Sequence, residues 1–344
     1  MKNILFIFGT RPEAIKLAPV INIFKKDSNN FKTTIAVTAQ HREMLDQVLY
    51  LFKIKPNYDL NLMSKNQSLE SLTSKIMIGI GSLLKETIPD LVFVQGDTTT
   101  TMAASLAAFY QKIPVAHIEA GLRTNNIHSP FPEEINRRIT STVATLHFTP
   151  TDGARQNLMN EGVKNENINV TGNTVIDSLL AISKKIESIS DKQEKDFLDR
   201  FGIQFNDKKI ILITGHRRES FGQGFENICN AIRHIAKNKA LQIIYPVHMN
   251  PNVQEPVSRI LGKINNVHLI PPQDYLPFIF LMNKAYIILT DSGGVQEEAP
   301  SLGKPVIVMR DNTERPEGIE AGTAILAGTE TNSIINIFHK LLNN

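Results

Sequence analysis

The feature that most constrains this chain is the alternation of short apolar segments with segments of helical period, from one end to the other. The apolar segments are rich in Ile, Val and Phe and cover residues 3–8, 33–37, 91–94, 115–118, 168–170, 209–213, 241–245, 267–270, 286–289 and 305–308. Helical patterns lie between them, at 13–26, 69–87, 99–111, 226–237 and 295–302. This alternation predicts parallel sheets with helices on both faces, whose strands are buried on both sides and therefore continuously apolar.

The chain is long enough for two such domains. It has 344 residues, and one domain typically takes roughly 150. The alternation pauses over residues 181–207, which are charged and amphipathic, and a new strand begins at Lys209. We therefore predict an α/β protein of two doubly wound, Rossmann-like domains, residues 1–172 and 173–344, with the change between Thr171 and Thr174.

Composition excludes several classes of protein. The net charge is +3 with no Lys/Arg run, which argues against a nucleic-acid partner. The single cysteine, Cys229, cannot form an intrachain disulfide, and the histidine spacing matches no metal site. No apolar stretch reaches the roughly 18 residues of a membrane span, and residues 4–8 are too few for a signal peptide. We expect a cytoplasmic protein with no metal, membrane or nucleic-acid partner.

Polar clusters follow the predicted strands in both halves of the chain. They lie at residues 9–13, 40–42, 96–99, 119–123, 215–219, 291–294 and 310–315. Ligands of open parallel sheets bind outside the carboxyl ends of the strands. Two domains that face each other are therefore expected to form a cleft lined by these loops. The alternative is that turns between strand and helix are simply polar and contain glycine.

The segment 290–298, TDSGGVQEE, is the sharpest local signal. A strand ends, small residues follow and a helix begins, and the N–H groups and dipole at a helix N-terminus favour a phosphate. Glu298, further along this helix, is placed to accept hydrogen bonds from a ribose. The alternative is an ordinary helix with Ser292 as its N-cap. The segment is neither a GxGxxG nor a Walker A motif, so no nicotinamide cofactor is predicted.

Charged residues in these loops divide by sign. The cations suit a diphosphate because arginine binds phosphate oxygens in pairs, and they are Arg11, Lys16, Arg217, Arg218 and Arg315. The acids belong to the first half and favour proton transfer on a sugar nucleotide, and they are Asp97, Glu119, Glu133 and Glu134. For Glu133 and Glu134 the alternative is that they only place negative charge at a helix N-terminus. His216 and His248 both follow predicted strands.

Taken together, these motifs resemble the bacterial non-hydrolysing UDP-N-acetylglucosamine 2-epimerases. The matching segments begin at Phe8 (FGTRPEAIKLAP), Thr38 (TAQHREMLDQVL), Gly96 (GDTTTT), Ala116 (AHIEAGLRT), Ser129 (SPFPEEINR), Thr214 (TGHRRESFGQGFE), Gln273 (QDYLPF), Leu289 (LTDSGGVQEEAPSLGKPV) and Met309 (MRDNTERPE). The resemblance covers nearly the whole chain in order. It implies a fold of the glycosyltransferase B type, with the nucleotide bound mostly by the second domain.

The resemblance also implies roles for individual residues. UDP and its diphosphate are expected to contact Arg11, Lys16, His216, Gln273, Phe278, Ser292, Gly293, Glu298 and Arg315. The residues expected to take part in catalysis are Asp97, Glu119, Glu133 and His216. Many bacterial members bind a second UDP-N-acetylglucosamine as an allosteric activator, which would lie near Gln40, His41 and Arg217. A homodimer and no cofactor are expected.

The implied reaction is reversible epimerisation of UDP-N-acetylglucosamine to UDP-N-acetylmannosamine, by elimination of UDP to 2-acetamidoglucal and re-addition. Two alternatives stay open: a hydrolysing relative that releases N-acetylmannosamine and UDP, and a catalytically inactive sensor of UDP-sugars. Family members usually continue past the position of Asn344 with a helix that returns to the first domain. From this difference we expect looser domain closure in this chain.

Overall fold

A computed structural model describes residues 1–38, 42–62, 67–203, 208–313 and 315–343. The chain divides into two compact units, Met1–Ser178 and Leu179–Asn344. The change of unit falls inside a helix, a few residues after the predicted boundary at 172/173. The start of that helix packs on the first unit, where the hydroxyl of Ser178 donates to the carbonyl of Ile15 at 2.5 Å. The strand pattern on which the prediction depended carries no information about this contact.

The first unit is a parallel sheet with interspersed helices. Its strands are β1 (Lys2–Phe8), β2 (Phe31–Val37), β3 (Tyr58–Asp59), β4 (Leu91–Gln95), β5 (Val115–Ile118), β6 (Leu146–Thr149) and β7 (Ile168–Val170). Its helices are α1 (Arg11–Lys26), α2 (Arg42–Leu51), α3 (Leu69–Thr87), α4 (Thr99–Tyr110), α5 (Glu133–Val143) and α6 (Asp152–Asn160). The helix α7 (Val175–Glu187) leads into the second unit.

The second unit repeats this architecture. Its strands are β8 (Lys209–Thr214), β9 (Leu241–Pro246), β10 (Val267–Ile270), β11 (Ala285–Thr290), β12 (Val306–Val308) and β13 (Ala324–Leu326). Its helices are α8 (Asp191–Asp199), α9 (Gln223–Ile235), α10 (Pro251–Leu261), α11 (Tyr275–Lys284), α12 (Gly293–Ser301), α13 (Pro316–Glu320) and α14 (Thr331–Leu342). Short 3-10 turns cover Asn165–Asn167 and Arg218–Ser220.

The strand order locates the ligand-binding edge of each unit. The first sheet has the order β3-β2-β1-β4-β5-β6-β7 and the second β10-β9-β8-β11-β12-β13. The direction of chain progression therefore reverses between β1 and β4 in one sheet and between β8 and β11 in the other. Ligands of doubly wound folds bind at this switch point, outside the carboxyl ends of the strands. The loops after β1 and β4, and after β8 and β11, are thus where a site is expected.

The predicted fold class, two doubly wound Rossmann-like domains of the glycosyltransferase B type, is confirmed. The apolar segments named above form strands, because strands that are covered on both faces bury most of their side chains. Leu5, Ile7 and Val94 of the first sheet, and Ile211 and Leu289 of the second, are fully buried. Among the described residues no helix is both long and apolar enough to cross a membrane.

Three strands were not predicted: β3, β6 and β13. The strand β3 is only Tyr58 and Asp59, and it borders β2 at the edge of its sheet. The strand β6 has the sequence LHFT, in which polar residues interrupt the apolar signal. The strand β13 has three residues and also lies at a sheet edge. Short or edge strands are formed by pairing with a neighbour that is already in place, and local sequence does not show that neighbour.

Candidate active site

The switch point of the first sheet carries a cavity of about 430 Å³. Arg11 at the start of α1, Asp97 after β4 and Glu133 at the start of α5 all line it, together with Thr98 and Asn136. The structure thus brings together three of the predicted residues, from segments far apart in sequence. Arg11 forms no side-chain hydrogen bond or ion pair with any residue that the structure describes, which leaves its guanidinium group for a ligand.

A buried carboxylate beneath this cavity joins its two loops. One oxygen of Glu13 accepts from the backbone N–H groups of Gly9 (3.1 Å) and Thr10 (2.7 Å), and the other from the hydroxyls of Thr98 (2.7 Å) and Thr101 (3.1 Å). Glu13 is 1% exposed. Burial raises its pKa, and these hydrogen bonds oppose the rise. The loops that carry Arg11 and Asp97 are therefore held at a fixed separation.

Helix α5 holds Asp97 in place. The Asn136 amide donates to the Asp97 carbonyl at 2.9 Å, and the Arg137 guanidinium pairs with the Asp97 carboxylate at 2.5 Å. Arg137 also contacts Glu134 at 3.3 Å, and the Glu134 side chain is fully buried. Glu133 therefore faces the cavity, whereas its neighbour Glu134 has a structural role. The sequence prediction did not identify Asn136 or Arg137, although both follow the acids at helical spacing.

Glu119 lies in a second polar cluster of the first unit. Its φ of 63° is in the left-handed region, which is uncommon for a residue other than glycine. Its carboxylate accepts from the Lys16 ammonium at 2.6 Å through both oxygens, from the Asn173 amide at 3.0 Å, and from the Gln95 amide. Lys16 was predicted to bind a diphosphate, and here it pairs with Glu119. The sequence prediction did not identify Gln95 or Asn173.

A buried histidine supports the loop after β4. The Nε2 of His117 lies 2.7 Å from the carbonyl oxygen of Gly96, the residue before Asp97. Burial lowers the pKa of His117 to about 3, so the ring is neutral at physiological pH. A neutral ring whose Nε2–H donates to this carbonyl positions the loop without adding charge to it.

The second unit places His216 and Arg217 in the loop after β8, following Gly215, and Asp291 directly after β11. One oxygen of Asp291 accepts from the backbone N–H groups of His216 (2.6 Å) and Arg217 (2.8 Å). The His216 ring stacks on that of His248, with centroids 5.3 Å apart and planes at 16°. Burial lowers the pKa of His216, Asp291 raises it, and His248 and Arg217 lower it.

The N-terminus of α12 has the predicted form. Ser292 occupies the N-cap position but its side chain makes no capping hydrogen bond, so the alternative of an ordinary serine-capped helix is not what the structure shows. Gly293 is the first helical residue. Further along, Glu298 is buried and accepts from the Tyr275 hydroxyl at 3.3 Å. Burial and the neighbouring Glu298 both raise the pKa of Tyr275, which is therefore a protonated donor.

The other predicted nucleotide contacts of this unit also lie in or near loops at the carboxyl edge of its sheet. The Gln273 amide donates to the Pro271 carbonyl at 2.6 Å, and Phe278 lies in the first turn of α11. Arg315, after β12, forms an ion pair with Glu297 at 2.7 Å. Gln40 and His41, predicted for an activator, lie outside the described residues.

These features define the class of protein. Two doubly wound domains with polar loops at both switch points are typical of nucleotide-binding α/β proteins, and carboxylates around a cavity are groups that transfer protons. Residues 24–344 match a protein-family model described as UDP-N-acetylglucosamine 2-epimerase. The chain belongs to this family of enzymes, and the resemblance read from its motifs is confirmed.

Individual relatives agree with the family. The chain is 57% identical to the UDP-N-acetylglucosamine 2-epimerase of Salmonella typhimurium over 341 residues, covering 99% of this chain and 90% of the relative. It superimposes on the Neisseria meningitidis enzyme, solved bound to UDP-GlcNAc, with a TM-score of 0.90, 53% identity and coverage of 99% and 91%. The Methanocaldococcus jannaschii enzyme, solved with UDP-GlcNAc and UDP, has a TM-score of 0.82, 36% identity and coverage of 99% and 93%.

Proposed function

We propose that the protein interconverts UDP-N-acetylglucosamine and UDP-N-acetylmannosamine without hydrolysis and without a cofactor. The observation that carries this proposal is the cavity shared by Arg11, Asp97 and Glu133, which combines a cation with two carboxylates. The Neisseria meningitidis relative, at 53% identity, was solved bound to UDP-GlcNAc. UDP-N-acetylglucosamine 2-epimerase activity is that of the family; what is proposed for this chain is the chemical route and the product that keeps its UDP.

The route follows from the chemistry of C2. Its proton is not next to a carbonyl carbon, so direct removal by a carboxylate is too costly. Breaking the C1–O bond to UDP first places positive charge beside C2 and acidifies that proton. The departing diphosphate requires cations and N–H donors. Arg11 is such a cation in the first unit, and His216 and the N-terminus of α12 are such groups in the second. Loss of the C2 proton then leaves 2-acetamidoglucal and UDP.

Re-addition of UDP, with protonation of C2 from the opposite face, gives the epimer. Two faces require two proton-handling groups, and the first unit holds three candidate acids. Asp97 and Glu133 line one cavity, and Glu119 is hydrogen-bonded to Lys16. An ammonium group beside a carboxylate provides a donor and an acceptor side by side. We assign proton transfer to these three carboxylates as a set.

Turnover in D2O tests the route. A C2 proton that passes through a carboxylate exchanges with solvent, so the UDP-N-acetylmannosamine product should carry deuterium at C2, observed by NMR. Long incubation should also release a little free UDP and 2-acetamidoglucal. Product that retains its original C2 hydrogen would contradict elimination. Free N-acetylmannosamine as the main product would identify the hydrolysing alternative. Absence of turnover in a protein that still binds UDP would identify the inactive sensor.

Replacement of Arg11 by Ala tests the cation at the cavity. A charge-assisted hydrogen bond contributes roughly 1.5–3 kcal/mol, and each 1.4 kcal/mol is about tenfold. We therefore expect kcat/KM to fall by about 10- to 100-fold. Arg155→Ala is the matched control, because this arginine hydrogen-bonds the Asn165 side chain on the surface of the same unit. Equal kcat/KM values for the two variants would remove Arg11 from the site.

Two features of the assembly are part of the same proposal. We infer a homodimer, and a second UDP-N-acetylglucosamine that acts as an activator. Exposed apolar side chains on α3 and α4, among them Ile78 (69%), Phe109 (55%) and Tyr110 (69%), support the dimer. Sedimentation should give twice the chain mass, and initial rates should rise sigmoidally with substrate. A monomer with hyperbolic kinetics would contradict both inferences.

A further inference from the structure

Asp291 is a fully buried carboxylate at the switch point of the second sheet, directly after β11. Its Oδ2 accepts from the backbone N–H groups of His216 and Arg217 at 2.6 and 2.8 Å, which attaches the loop after β8 to the loop after β11. This oxygen is therefore engaged in holding the backbone of the loop.

The second oxygen of Asp291 is placed differently. Oδ1 has no hydrogen-bond partner among the residues that the structure describes, although it is buried. It lies 3.5 Å from the Nδ1 of His216. A buried carboxylate oxygen without a donor is costly, and a nearby cation or N–H group offsets that cost. The His216 imidazole is the group in position to do so.

The surroundings of His216 decide how readily it is charged. Asp291 faces the ring from the end of β11, His248 stacks on it from the segment after β9, and Arg217 follows it in the chain. Of these groups, only Asp291 favours the imidazolium, whereas His248, Arg217 and burial disfavour it. In the free protein these influences leave the pKa of His216 lowered. The negative charge of a bound diphosphate favours the imidazolium, as the charge of Asp291 does.

We propose that Asp291 is a positioning residue that directs Nδ1–H of His216 toward its own Oδ1 and stabilises the imidazolium formed when UDP is bound. The ring is thereby oriented with Nε2 on its opposite side, and the His216 side chain is 44% exposed. Nε2–H then donates to a diphosphate oxygen of UDP, as an imidazole fixed by a buried carboxylate does in other enzymes. The inference rests on the proposed function, since it requires that the second unit binds UDP.

Proton uptake on UDP binding is the first test. Titration calorimetry at pH 7.5 in two buffers of different ionisation enthalpy counts the protons taken up. UDP is largely ionised at this pH and releases protons on meeting cations, so net uptake reports a protein group. We expect uptake by the wild-type protein and little or none by Asp291→Asn.

Asp291→Asn is chosen because it separates the two roles of the carboxylate. The asparagine oxygen still accepts from the N–H groups of His216 and Arg217, so the loop keeps its anchor. The asparagine amide then faces Nδ1 and removes the charge that favours the imidazolium. A charge-assisted hydrogen bond is replaced by a neutral one, and we expect UDP to bind about tenfold more weakly at pH 6–7. This ratio of the wild-type and variant affinities should shrink by pH 8.5, where the wild-type ring also loses its proton.

The double variant Asp291→Asn/His216→Gln completes the cycle. If Asp291 acts through His216, the Asp291 substitution should change neither proton uptake nor the pH dependence of binding when His216 is absent. An equal effect of Asp291→Asn in both backgrounds would show a purely structural role and overturn the inference. Thermal unfolding of each variant verifies that it is folded.

A measurement on the wild-type protein does not depend on any variant. Nitrogen NMR of labelled histidine should show His216 becoming an imidazolium when UDP is added at pH 7.5. A ring that stays neutral would overturn the inference while UDP binding, and with it the proposed function, stands. Wild-type protein that binds no UDP at any pH would overturn the proposed function and this inference together.

Discussion

Replacement of Asp97 by Asn should lower turnover by about 10²–10⁴-fold, the usual contribution of a general acid–base group, and leave UDP affinity unchanged. Asn is isosteric and still accepts the hydrogen bond from Arg137, which the wild-type carboxylate receives at 2.5 Å. The geometry of the loop is therefore kept and only the proton-transfer group is lost. Steady-state rates, with UDP binding by calorimetry, separate the two effects.

Two comparisons sharpen the Asp97 experiment. Asp152→Asn, at an exposed acid at the start of α6, should leave turnover unchanged. Glu133→Gln should also lower turnover, because Glu133 lines the same cavity. Near-normal turnover in Asp97→Asn would remove Asp97 from the chemistry, and a matching loss of UDP affinity would reassign it to binding.

Replacement of Glu13 by Leu should destabilise the protein by at least about 3 kcal/mol, because buried donors left without an acceptor cost roughly 1–3 kcal/mol each. The donors concerned are the N–H groups of Gly9 and Thr10 and the hydroxyl of Thr98, whereas the Thr101 hydroxyl keeps the Gln95 carbonyl as its acceptor at 2.6 Å. Chemical denaturation gives the free energy of unfolding. A loss below about 1 kcal/mol would show that this network is not coupled to folding.

Glu13→Gln is the matched control, and its free energy of unfolding relative to wild type should change with pH in one direction. The amide oxygen can accept from the two N–H groups, while the amide N–H donates to the threonine hydroxyls, so we expect a small effect on the free energy of unfolding.

Burial raises the pKa of Glu13 above its usual 4.5 in the folded state. Its contribution to stability is therefore full below pH 4.5 and is lost as pH rises through the folded-state pKa. The glutamine variant does not titrate, so it should gain stability relative to wild type as pH rises above 4.5. A difference independent of pH would contradict the raised pKa.

Both units use a buried carboxylate to hold the loops at the switch point of the sheet. At each switch point a buried carboxylate joins the two loops that carry candidate site residues: Glu13 after β1 joins the loop after β4, and Asp291 after β11 joins the loop after β8. Loop backbone at such an edge has N–H groups without strand partners, and a carboxylate oxygen satisfies two of them at once. Rigid loops follow, and preorganised groups need no rearrangement during the reaction.

Much of the architecture was predictable from the sequence because its signal is local. Residues 115–118, 168–170 and 267–270 were predicted with the bounds that the structure shows. The first of these strands is buried throughout, whereas the other two lie at sheet edges and keep apolar residues at most of their positions. Positions directly after such strands are necessarily at the carboxyl edge of the sheet. The strand pattern therefore places Arg11, Asp97, His216 and Ser292 at ligand-binding edges.

Partners within the site were decided only by the tertiary structure. Lys16 and Glu119 are 103 residues apart, and Arg137 and Asp97 are 40 apart. Glu13 belongs to the motif GTRPE, yet nothing in that motif shows that Thr98 and Thr101 complete its hydrogen bonds. The sequence by itself determined which segments form strands and which polar residues follow them, because burial and periodicity act along the chain. Strand order and crossover packing determined which of those residues meet, because hydrogen bonds and ion pairs depend on distances in space.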